Sequence, residues 1–317
     1  MRREEVRRKV ARFIHAEPEE ITFTNSTSHG INLIAELIAR EGEVLTNTLE
    51  FPATTVPWIH RRAKLKFLKP DHSGVISVDQ IKRNLTPRVK IILTSFVQFQ
   101  NGFRQNLEAL GRIKGSRFLV VNATQGFGYL SVNVKKSRID FLATNSYKWL
   151  MAGYGGGILY INKKWIRKFK PASAGWRSVP HPEAFDNQHA PLKEEASRYE
   201  YGCPPFPHIF AIGAAIDYLS EIGISNVEKR IHSLTDFLIE QLKESGFKIL
   251  SPLKPAFRSG IVVFKVKNPE KLTKQLLARR IYVSARGGGI RVAPHIYNTE
   301  EEIAHFLKVL KAEIKQL

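Results

Sequence analysis

Short apolar runs alternate with amphipathic stretches along the first half of the chain, a pattern typical of an α/β fold. It predicts a helix over residues 3–15, a strand over residues 21–24 and a helix from residue 28 or 29 to residue 39. Another helix is expected to begin at Pro52. The run at residues 118–121 is apolar at consecutive positions, which indicates a strand buried on both faces. Further strands are predicted at residues 44–47, 64–68, 90–94, 117–121, 140–144 and 157–161.

The pattern changes after residue 161. Residues 171–207 are rich in Pro, Gly, Trp and charged side chains without clear periodicity, which predicts a connecting region with functional loops. Two long helices are expected next, at residues 208–222 and 225–245, and then a βαββα unit. The elements of that unit are predicted at residues 261–266, 269–280, 281–284, 290–293 and 299–315. We therefore expect a large α/β domain over residues 1–207 and a smaller α+β domain over residues 208–317.

Composition places the chain among ordinary globular proteins, with 43% hydrophobic and 25% charged residues in a length of 317. It has no run of eighteen apolar residues, so no membrane span is expected. Residues 1–8 are charged and lack the apolar core of a signal peptide, which favours a cytoplasmic protein. A lone cysteine, Cys203, excludes an internal disulfide, and the scattered histidines give no paired spacing for a metal site.

Charge is the unusual feature of the composition, because 49 lysines and arginines face 29 acidic residues, for a net charge of +20. Such a field attracts polyanions, small anionic ligands included. A surface of the thermophilic type gives the same composition. The sequence has no run of five or more basic residues and no RNA-binding signature. Nucleic acid is therefore expected to bind only through non-specific charge.

The candidate chemistry centres on Lys148, which lies just beyond the predicted strand at residues 140–144, beside aromatic residues and before a glycine-rich turn. Burial at such a place lowers the pKa of an amine and makes it nucleophilic. Taken alone, a lysine is far more often a solvated surface residue. However, Asn122 and Gln125 follow the buried strand at residues 118–121, and ligand sites form at the carboxyl ends of strands in open α/β sheets.

These motifs, in this order, resemble the class V aminotransferase family, which holds cysteine desulfurases, kynureninases and isopenicillin N epimerase-like proteins. The resemblance runs from about Glu19 to the C-terminus. It implies the transferase fold of pyridoxal-phosphate-dependent enzymes (fold type I), with a mostly parallel seven-stranded sheet and a smaller α+β C-terminal domain. It also implies pyridoxal 5'-phosphate (PLP) as the cofactor. Lys148 would carry PLP as a Schiff base and move the Cα proton of the substrate.

The resemblance assigns further residues to the cofactor. Gln125 would contact its phenolic oxygen, and Asn122 takes the place of an aspartate that keeps the pyridine nitrogen protonated. A neutral amide makes that hydrogen bond roughly half as strong, so we expect PLP to bind while carbanion chemistry is weakened. Thr27 and Ser28 match the phosphate loop, although they could simply cap the following helix. Asn145 stands where the family often has a phosphate-contacting serine.

Residues farther along the chain complete the implied site. Phe51 would stack on the cofactor ring, unless it belongs to the core. Asn101 would reach the cofactor edge, or only form a turn with the glycine that follows it. Cys203 stands in a loop that reaches the phosphate of a neighbouring subunit in the family, so a homodimer is expected. Arg291 would grip the substrate carboxylate unless it forms a surface salt bridge, and Arg286 is a second candidate.

The sequence also departs from the family pattern. The chain begins about one helix before the phosphate loop, where the family has several tens of residues, so we expect either a longer N-terminus or an open site. Residues 284–290 are too few for the cysteine-bearing loop of desulfurases and contain no thiol, which argues against that chemistry. The glycines at 287–289 are more typical of a turn than of a phosphate cradle. In the last helix, Thr299 and Glu302 predict a capping box.

The best-supported function is therefore that of a PLP-dependent enzyme acting on a small amino acid, with transamination as the leading reaction. A lyase, an epimerase and a cysteine desulfurase-like enzyme stay open, because fold does not fix the reaction. A catalytically weakened PLP-binding protein is the remaining alternative, and Asn122 motivates it.

Overall fold

The computed structural model describes residues 2–315. The ends of the two predicted domains, residue 1 and residues 316–317, lie outside that range. The first half of the chain forms, in order, α1 (Arg2–Ile14), β1 (Ile21–Thr24), α2 (Thr27–Ile38), β2 (Glu43–Asn47), α3 (Pro52–His60), β3 (Leu65–Leu68), α4 (Val78–Arg83), β4 (Val89–Ser95), α5 (Leu107–Ile113), β5 (Phe118–Asn122), β6 (Phe141–Asn145) and β7 (Gly157–Ile161). The second half forms α6 (Lys163–Ile166), α7 (Phe206–Ile222), α8 (Ile224–Glu244), β8 (Val262–Lys265), α9 (Pro269–Ala278), β9 (Ser284–Arg286), β10 (Gly289–Val292) and α10 (Glu300–Ile314).

Seven strands form one sheet in the order β1-β7-β6-β5-β4-β2-β3. Only β7 runs against its neighbours; the remaining strands share one direction, as the pairings show. The predicted mostly parallel seven-stranded sheet is thus confirmed. The strand β3 forms one edge and exposes Lys66 and Phe67, in keeping with a charged side chain at a sheet edge.

The sheet separates two hydrophobic cores. In β5, Leu119 and Val121 pack into the core that also contains residues of α1 and α7, whereas Phe118 and Val120 pack into the core beneath α2. Successive side chains of a strand point to opposite faces, so a consecutive apolar run fills both cores, as the sequence predicts for this strand. A third core joins α8, α9 and α10 to a small antiparallel sheet of order β8-β10-β9.

The strand predicted at residues 281–284 is the clearest misplacement. The structure has β9 at Ser284–Arg286 instead, followed by a two-residue turn. The turn residues Gly287 and Gly288 have φ values of +60° and +80°, and they pair Arg286 with Gly289. Because positive φ at both turn positions is what a tight hairpin requires, the glycines fix the register and move the strand toward the C-terminus.

The domain boundary at residue 207 falls inside α7, which begins at Phe206. Residues of α7 share a hydrophobic core with α1, and a Cβ added to Gly213 would lie 2.7 Å from a methyl group of Val6. The division into residues 1–207 and 208–317 stays a prediction. No helix in the described range is long and apolar enough to cross a membrane. Residues 2–315 also contain no cluster of three or more side chains able to hold a metal ion.

Candidate active site

A cleft lies at the edge of the large sheet where the strands other than β7 end. It is open to solvent and has a volume of about 80 Å³. Loops and helices that follow β1, β2, β4, β5 and β6 contribute to it. The lining residues are Ser26, Thr27, Ser28, Phe51, Ala53, Ser95, Val97, Phe99, Asn122, Thr124, Gln125, Asn145, Tyr147 and Lys148. The structure therefore brings together seven residues singled out from the sequence: Thr27, Ser28, Phe51, Asn122, Gln125, Asn145 and Lys148.

Lys148 follows β6, a strand that is buried along its whole length. Its side chain is partly buried and has no carboxylate within 4 Å in the described part of the chain. Burial, and to a smaller extent the positive charge of Arg291, lower the pKa of the amine to about 8. About a tenth of a group with that pKa is uncharged at pH 7. The position therefore supplies a nucleophilic amine near neutral pH.

Asn122 is the last residue of β5, and both polar atoms of its side chain are hydrogen-bonded. Its Oδ1 accepts a hydrogen bond of 3.0 Å from the backbone N–H of Thr124, and its Nδ2 donates one of 2.8 Å to Oγ1 of Thr54. At this point the cleft is therefore lined by a neutral amide whose orientation is set by these two hydrogen bonds. Thr54 lies in the first turn of α3 and is fully buried, and no sequence pattern predicts its contact with Asn122.

Gln125 lies three residues farther along, and its Oε1 accepts a hydrogen bond of 3.3 Å from the indole Nε1 of Trp149. Because the carbonyl oxygen of the side chain is engaged, the amide nitrogen is the group left to a ligand in the cleft. A donor at this place suits a phenolic or phenolate oxygen.

The first turn of α2 forms the end of the cleft next to β1. Ser26 is the N-cap and accepts a hydrogen bond of 3.2 Å from the backbone N–H of His29, so the helix begins at Thr27, one or two residues earlier than the predicted start at residue 28 or 29. Hydroxyl oxygens of Thr27 and Thr124 are 2.6 Å apart, which joins this turn to the end of β5. Amides in the first turn of a helix lack intrahelical acceptors, and together with the helix dipole they attract anions.

A close approach of α2 to the sheet holds that turn in place. A Cβ added to Gly30 would lie only 2.9 Å from the Cβ of Ala143 in β6. Only glycine lets the helix pack this tightly against the strand that leads to Lys148. The helix N-terminus and the lysine are therefore positioned by one contact.

Asn145 ends β6 and is 4% exposed, and its Oδ1 has no hydrogen-bond partner within the described residues. Burying an unsatisfied polar atom costs about 1–3 kcal/mol. Since Asn145 lines the cleft, a polar ligand there would remove that cost.

Phe51 and Phe99 form an aromatic part of the cleft wall. Phe51 is the N-cap residue of α3 and is 48% exposed, and its ring meets the ring of Phe99 edge-on at 5.1 Å. The exposed ring is available for stacking, and the alternative that Phe51 is ordinary core does not hold at this exposure. Behind it, the carboxyl of Glu50 is fully buried and accepts hydrogen bonds from Ser95, Gln98 and Asn47. Desolvation raises the pKa of Glu50.

Arg291 lies in β10 next to the cleft, where its Nη1 donates a hydrogen bond of 2.9 Å to the backbone carbonyl of Phe99. Burial lowers the pKa of its guanidinium, and the charge of Arg286 adds to the effect. Neither arginine has a carboxylate within 4 Å among residues 2–315, so the alternative of a surface salt bridge does not apply to Arg291. Arg286 itself is exposed.

Asn101 and Cys203 do not line the cleft. Both polar atoms of the Asn101 side chain are engaged by the protein, since Oδ1 accepts from Phe103 in the same loop and Nδ2 donates to the carbonyl of Gly74, in the segment between β3 and α4. Gly102 has a φ of +74°, so the turn alternative is the correct one and the expected contact of Asn101 with the cofactor is not. Cys203 is exposed in its loop, and its role toward a neighbouring subunit stays a prediction.

The residues present fit PLP. The first turn of α2 offers donors for a phosphate, and the uncharged fraction of Lys148 suits an aldehyde. Phe51 offers a ring for a planar heterocycle, and the unsatisfied Oδ1 of Asn145 offers an acceptor to a ligand group that carries a proton. The misfit is confined to Asn122, which carries no charge for the pyridine nitrogen.

Comparison with known proteins gives consistent results. The family model described as Aminotransferase class-V matches residues 2–309. A probable cysteine desulfurase of Pyrococcus abyssi is 30% identical, over 99% of this chain and 84% of its own length. The uncharacterized aminotransferase YcbU of Bacillus subtilis is 26% identical, over 97% and 82%. The apo structure of a cysteine desulfurase from Thermococcus onnurineus NA1 is similar with a TM-score of 0.91 and 28% identity, over 99% of this chain and 84% of that chain.

Proposed function

This chain belongs to the class V aminotransferase family, and on that basis we propose that it exchanges the α-amino group of a small amino acid by transamination. Its fold is that of PLP-dependent enzymes of fold type I, and its cofactor is pyridoxal 5'-phosphate. The observation that carries the proposal is the amine of Lys148, which lines the cleft, has a lowered pKa and has no carboxylate within 4 Å among residues 2–315, together with Arg291, which donates to the carbonyl of the lining residue Phe99.

PLP, when bound, supplies a ring that withdraws electrons and so acidifies the Cα–H bond of an amino acid. Lys148 would be its covalent attachment point and would then take up and return the Cα proton at Nζ. Arg291 would orient the substrate by binding its α-carboxylate through two parallel hydrogen bonds. The amide nitrogen of Gln125 would hold the ring from its edge, and the ring of Phe51 would cover one face.

Phosphate binding would rest on the first turn of α2. The backbone N–H groups of Thr27 and Ser28 and their hydroxyls supply the donors, and Nδ2 of Asn145 would add another. These groups sit on a helix and a buried strand rather than on a mobile loop, so little reorganisation is needed on binding.

The test is the spectrum of the protein loaded with PLP. We expect a visible absorbance band from the covalently bound cofactor in the native chain and in the control Lys170→Ala, whose lysine is exposed. The band should be absent in Lys148→Ala. Mixing the loaded protein with each of the twenty amino acids should convert the band to the amine form of the cofactor for at least one of them. A band that persists in Lys148→Ala, or no conversion with any amino acid, contradicts the proposal.

A second candidate is the cleavage of a carbon–sulfur bond, as in a cysteine desulfurase. The names of the relatives in Pyrococcus abyssi and Thermococcus onnurineus favour it. The placement of Cys203, which is exposed and does not line the cleft, speaks against a protein thiol as the sulfur acceptor. Residues 284–290 form the tight β9–β10 hairpin, with no loop that could bring a thiol to the cleft.

Incubation with cysteine separates the two candidates. Transamination yields the keto acid, whereas desulfuration yields alanine and a persulfide on the acceptor thiol, from which an excess of added thiol releases sulfide with formation of a disulfide. Desulfuration that is lost in Cys203→Ser would favour the second candidate and identify Cys203 as the acceptor. We expect no such loss.

We also propose a homodimer, because the loop at residues 198–204 matches one that serves the neighbouring subunit in the family. Glu200 of this loop is buried against Arg7, which leaves Cys203 at the surface. Light scattering of the purified protein at several concentrations tests this, and a monomer throughout would contradict it.

A further inference from the structure

The β9–β10 hairpin carries two arginines on one face. Arg286 pairs with Gly289 across the hairpin, and Gly289 and Arg291 are two residues apart on the same strand. Directly paired residues point to the same side of a sheet, as do residues two apart. The side chains of Arg286 and Arg291 therefore project together.

That face lies beside the candidate active site, although neither arginine is among the residues that line the cleft. Arg291 donates a hydrogen bond of 2.9 Å to the carbonyl of Phe99, a residue that lines the cleft. The turn of the hairpin packs closely against Gln100, the residue that follows Phe99. A Cβ added to Gly287 would lie only 2.4 Å from the backbone carbonyl oxygen of Gln100. The positive charge of Arg291 also contributes to the lowered pKa of Lys148.

Nothing among the described residues neutralises this pair. Neither arginine has a carboxylate within 4 Å, and no aspartate or glutamate lines the cleft. The two guanidinium groups interact, since the charge of Arg286 helps to lower the pKa of Arg291. Like charges held close together are unfavourable unless an anion lies between or beside them. One substrate carboxylate accounts for one of the two arginines only.

We propose that the substrate of this site is an amino acid whose side chain carries a second acidic group, with Arg291 binding the α-carboxylate and Arg286 the side-chain acid. The proposal rests on the function proposed above and adds the substrate class to it. The net charge of +20 acts in the same sense, because it raises the local concentration of anionic substrates.

Binding of unreactive acids to the PLP-loaded protein tests the proposal by calorimetry. Succinate and butyrate have the same chain length and differ by one carboxylate. We expect succinate to bind at least about tenfold more tightly. Arg286→Gln should reduce that ratio at least about fivefold, and Arg286→Lys should restore part of it, since it keeps the charge.

The matched control is Arg280→Gln, which also removes an exposed guanidinium of the small domain but lines a different groove. It should leave the succinate-to-butyrate ratio as it is in the native chain. If Arg280→Gln lowers the ratio as much as Arg286→Gln does, the effect comes from net charge and the proposal is wrong.

Turnover provides the second readout. The ratio of kcat/KM for aspartate or glutamate over that for alanine should exceed one and should fall in Arg286→Gln, through KM. Equal affinities for succinate and butyrate, or binding of neither, in a protein that shows the Lys148-dependent absorbance band would overturn the substrate class while the proposed function stands. Absence of the band itself would instead overturn the proposed function.

Discussion

The indole nitrogen of Trp149 donates a hydrogen bond of 3.3 Å to the side-chain oxygen of Gln125. Trp149 directly follows Lys148, and its ring lies against those of Tyr129 and His295, at centroid distances of 4.1 and 5.4 Å. Nε2 of His295 lies 3.1 Å from the backbone carbonyl of Trp149, while its Nδ1 accepts from the backbone N–H of Ile296. The segment that carries the lysine and the amide that faces the cofactor are thus oriented by the same tryptophan.

Replacing Trp149 by phenylalanine removes that donor and keeps an aromatic ring. We expect cofactor affinity to fall about tenfold, because a hydrogen bond of this kind contributes about 1 kcal/mol or more and the freed amide can rotate. Titration of the cofactor-free protein with PLP measures it. Trp165→Phe is the control, since it also loses an indole hydrogen bond, of 2.7 Å to Asp140, without lining the cleft. Equal affinity in the two variants would contradict the role given to Trp149.

Loading of the cofactor should depend on pH through Lys148. Its pKa of about 8 lies below the ordinary value of 10.5, chiefly because of burial, so the uncharged amine increases as pH rises toward 8 and above. The rate of loading should follow the same curve. Arg291→Gln removes a positive charge from the neighbourhood and should shift the midpoint upward, whereas Arg280→Gln should not. A midpoint that stays in place in Arg291→Gln would contradict the electrostatic cause.

The same shift has a consequence for stability. Between about pH 8 and the ordinary value of 10.5, the unfolded chain binds a proton at this lysine that the folded chain does not. The contribution of Lys148 to the free energy of unfolding of the cofactor-free protein therefore rises with pH across this window. Urea titrations of the native chain and of Lys148→Met at several pH values measure the free energy of unfolding of each. The pH-dependent difference between the two proteins should shrink or vanish if Lys148 is solvated.

Asn122→Asp should raise turnover by on the order of 100-fold, because it adds the charge that one preorganised electrostatic partner supplies. The hydroxyl of Thr54 now accepts from Nδ2 of Asn122 and can reverse its role to donate to a carboxylate, so the geometry can be kept. Asn122→Ala is the comparison, since it removes both hydrogen bonds. Steady-state kcat measures the effect, and an unchanged kcat in the loaded Asp variant would show that this position does not limit the reaction.

Glu200 anchors the loop that precedes α7 to the start of the large sheet. Its carboxylate forms an ion pair of 2.8 Å with Arg7 and accepts from the backbone N–H of Phe23, and all three residues are buried. Glu200→Ala should lower the free energy of unfolding by about 3 kcal/mol, because it leaves the buried guanidinium of Arg7 with only the partly exposed Glu4 as its charged partner. Glu194→Ala, which breaks an exposed pair with Arg167, should change it by no more than about 1 kcal/mol. Urea denaturation measures both values.

The sequence predicts the large sheet well because its strands are consecutive apolar runs. The strands β1 and β7 have the predicted bounds, and β5 is displaced by one residue. The helices α4 and α5 were not predicted, since they have only 6 and 7 residues and give too short a window for helical periodicity. The capping box of Thr299 and Glu302 is confirmed, because it depends on residues only three apart.

The site was predictable where it depends on single positions after strands, as with Lys148 and Gln125. Contacts between distant segments were not. Asn122 and Thr54 are 68 residues apart, and no local pattern announces that they meet. Asn101 was misassigned partly for the same reason, because its Nδ2 donates to the carbonyl of Gly74, 27 residues earlier in the chain, while only its Oδ1 is engaged locally.

The cleft gathers its lining from the ends of five separate strands, and no contiguous piece of the chain contains all of it. Ligand occupancy is therefore coupled to the integrity of the entire sheet. A cofactor present at a hundred times its dissociation constant adds about 2.7 kcal/mol to the free energy of unfolding. The saturated protein should thus resist proteases at sites remote from the cleft, and release of the cofactor on heating should coincide with melting of the chain.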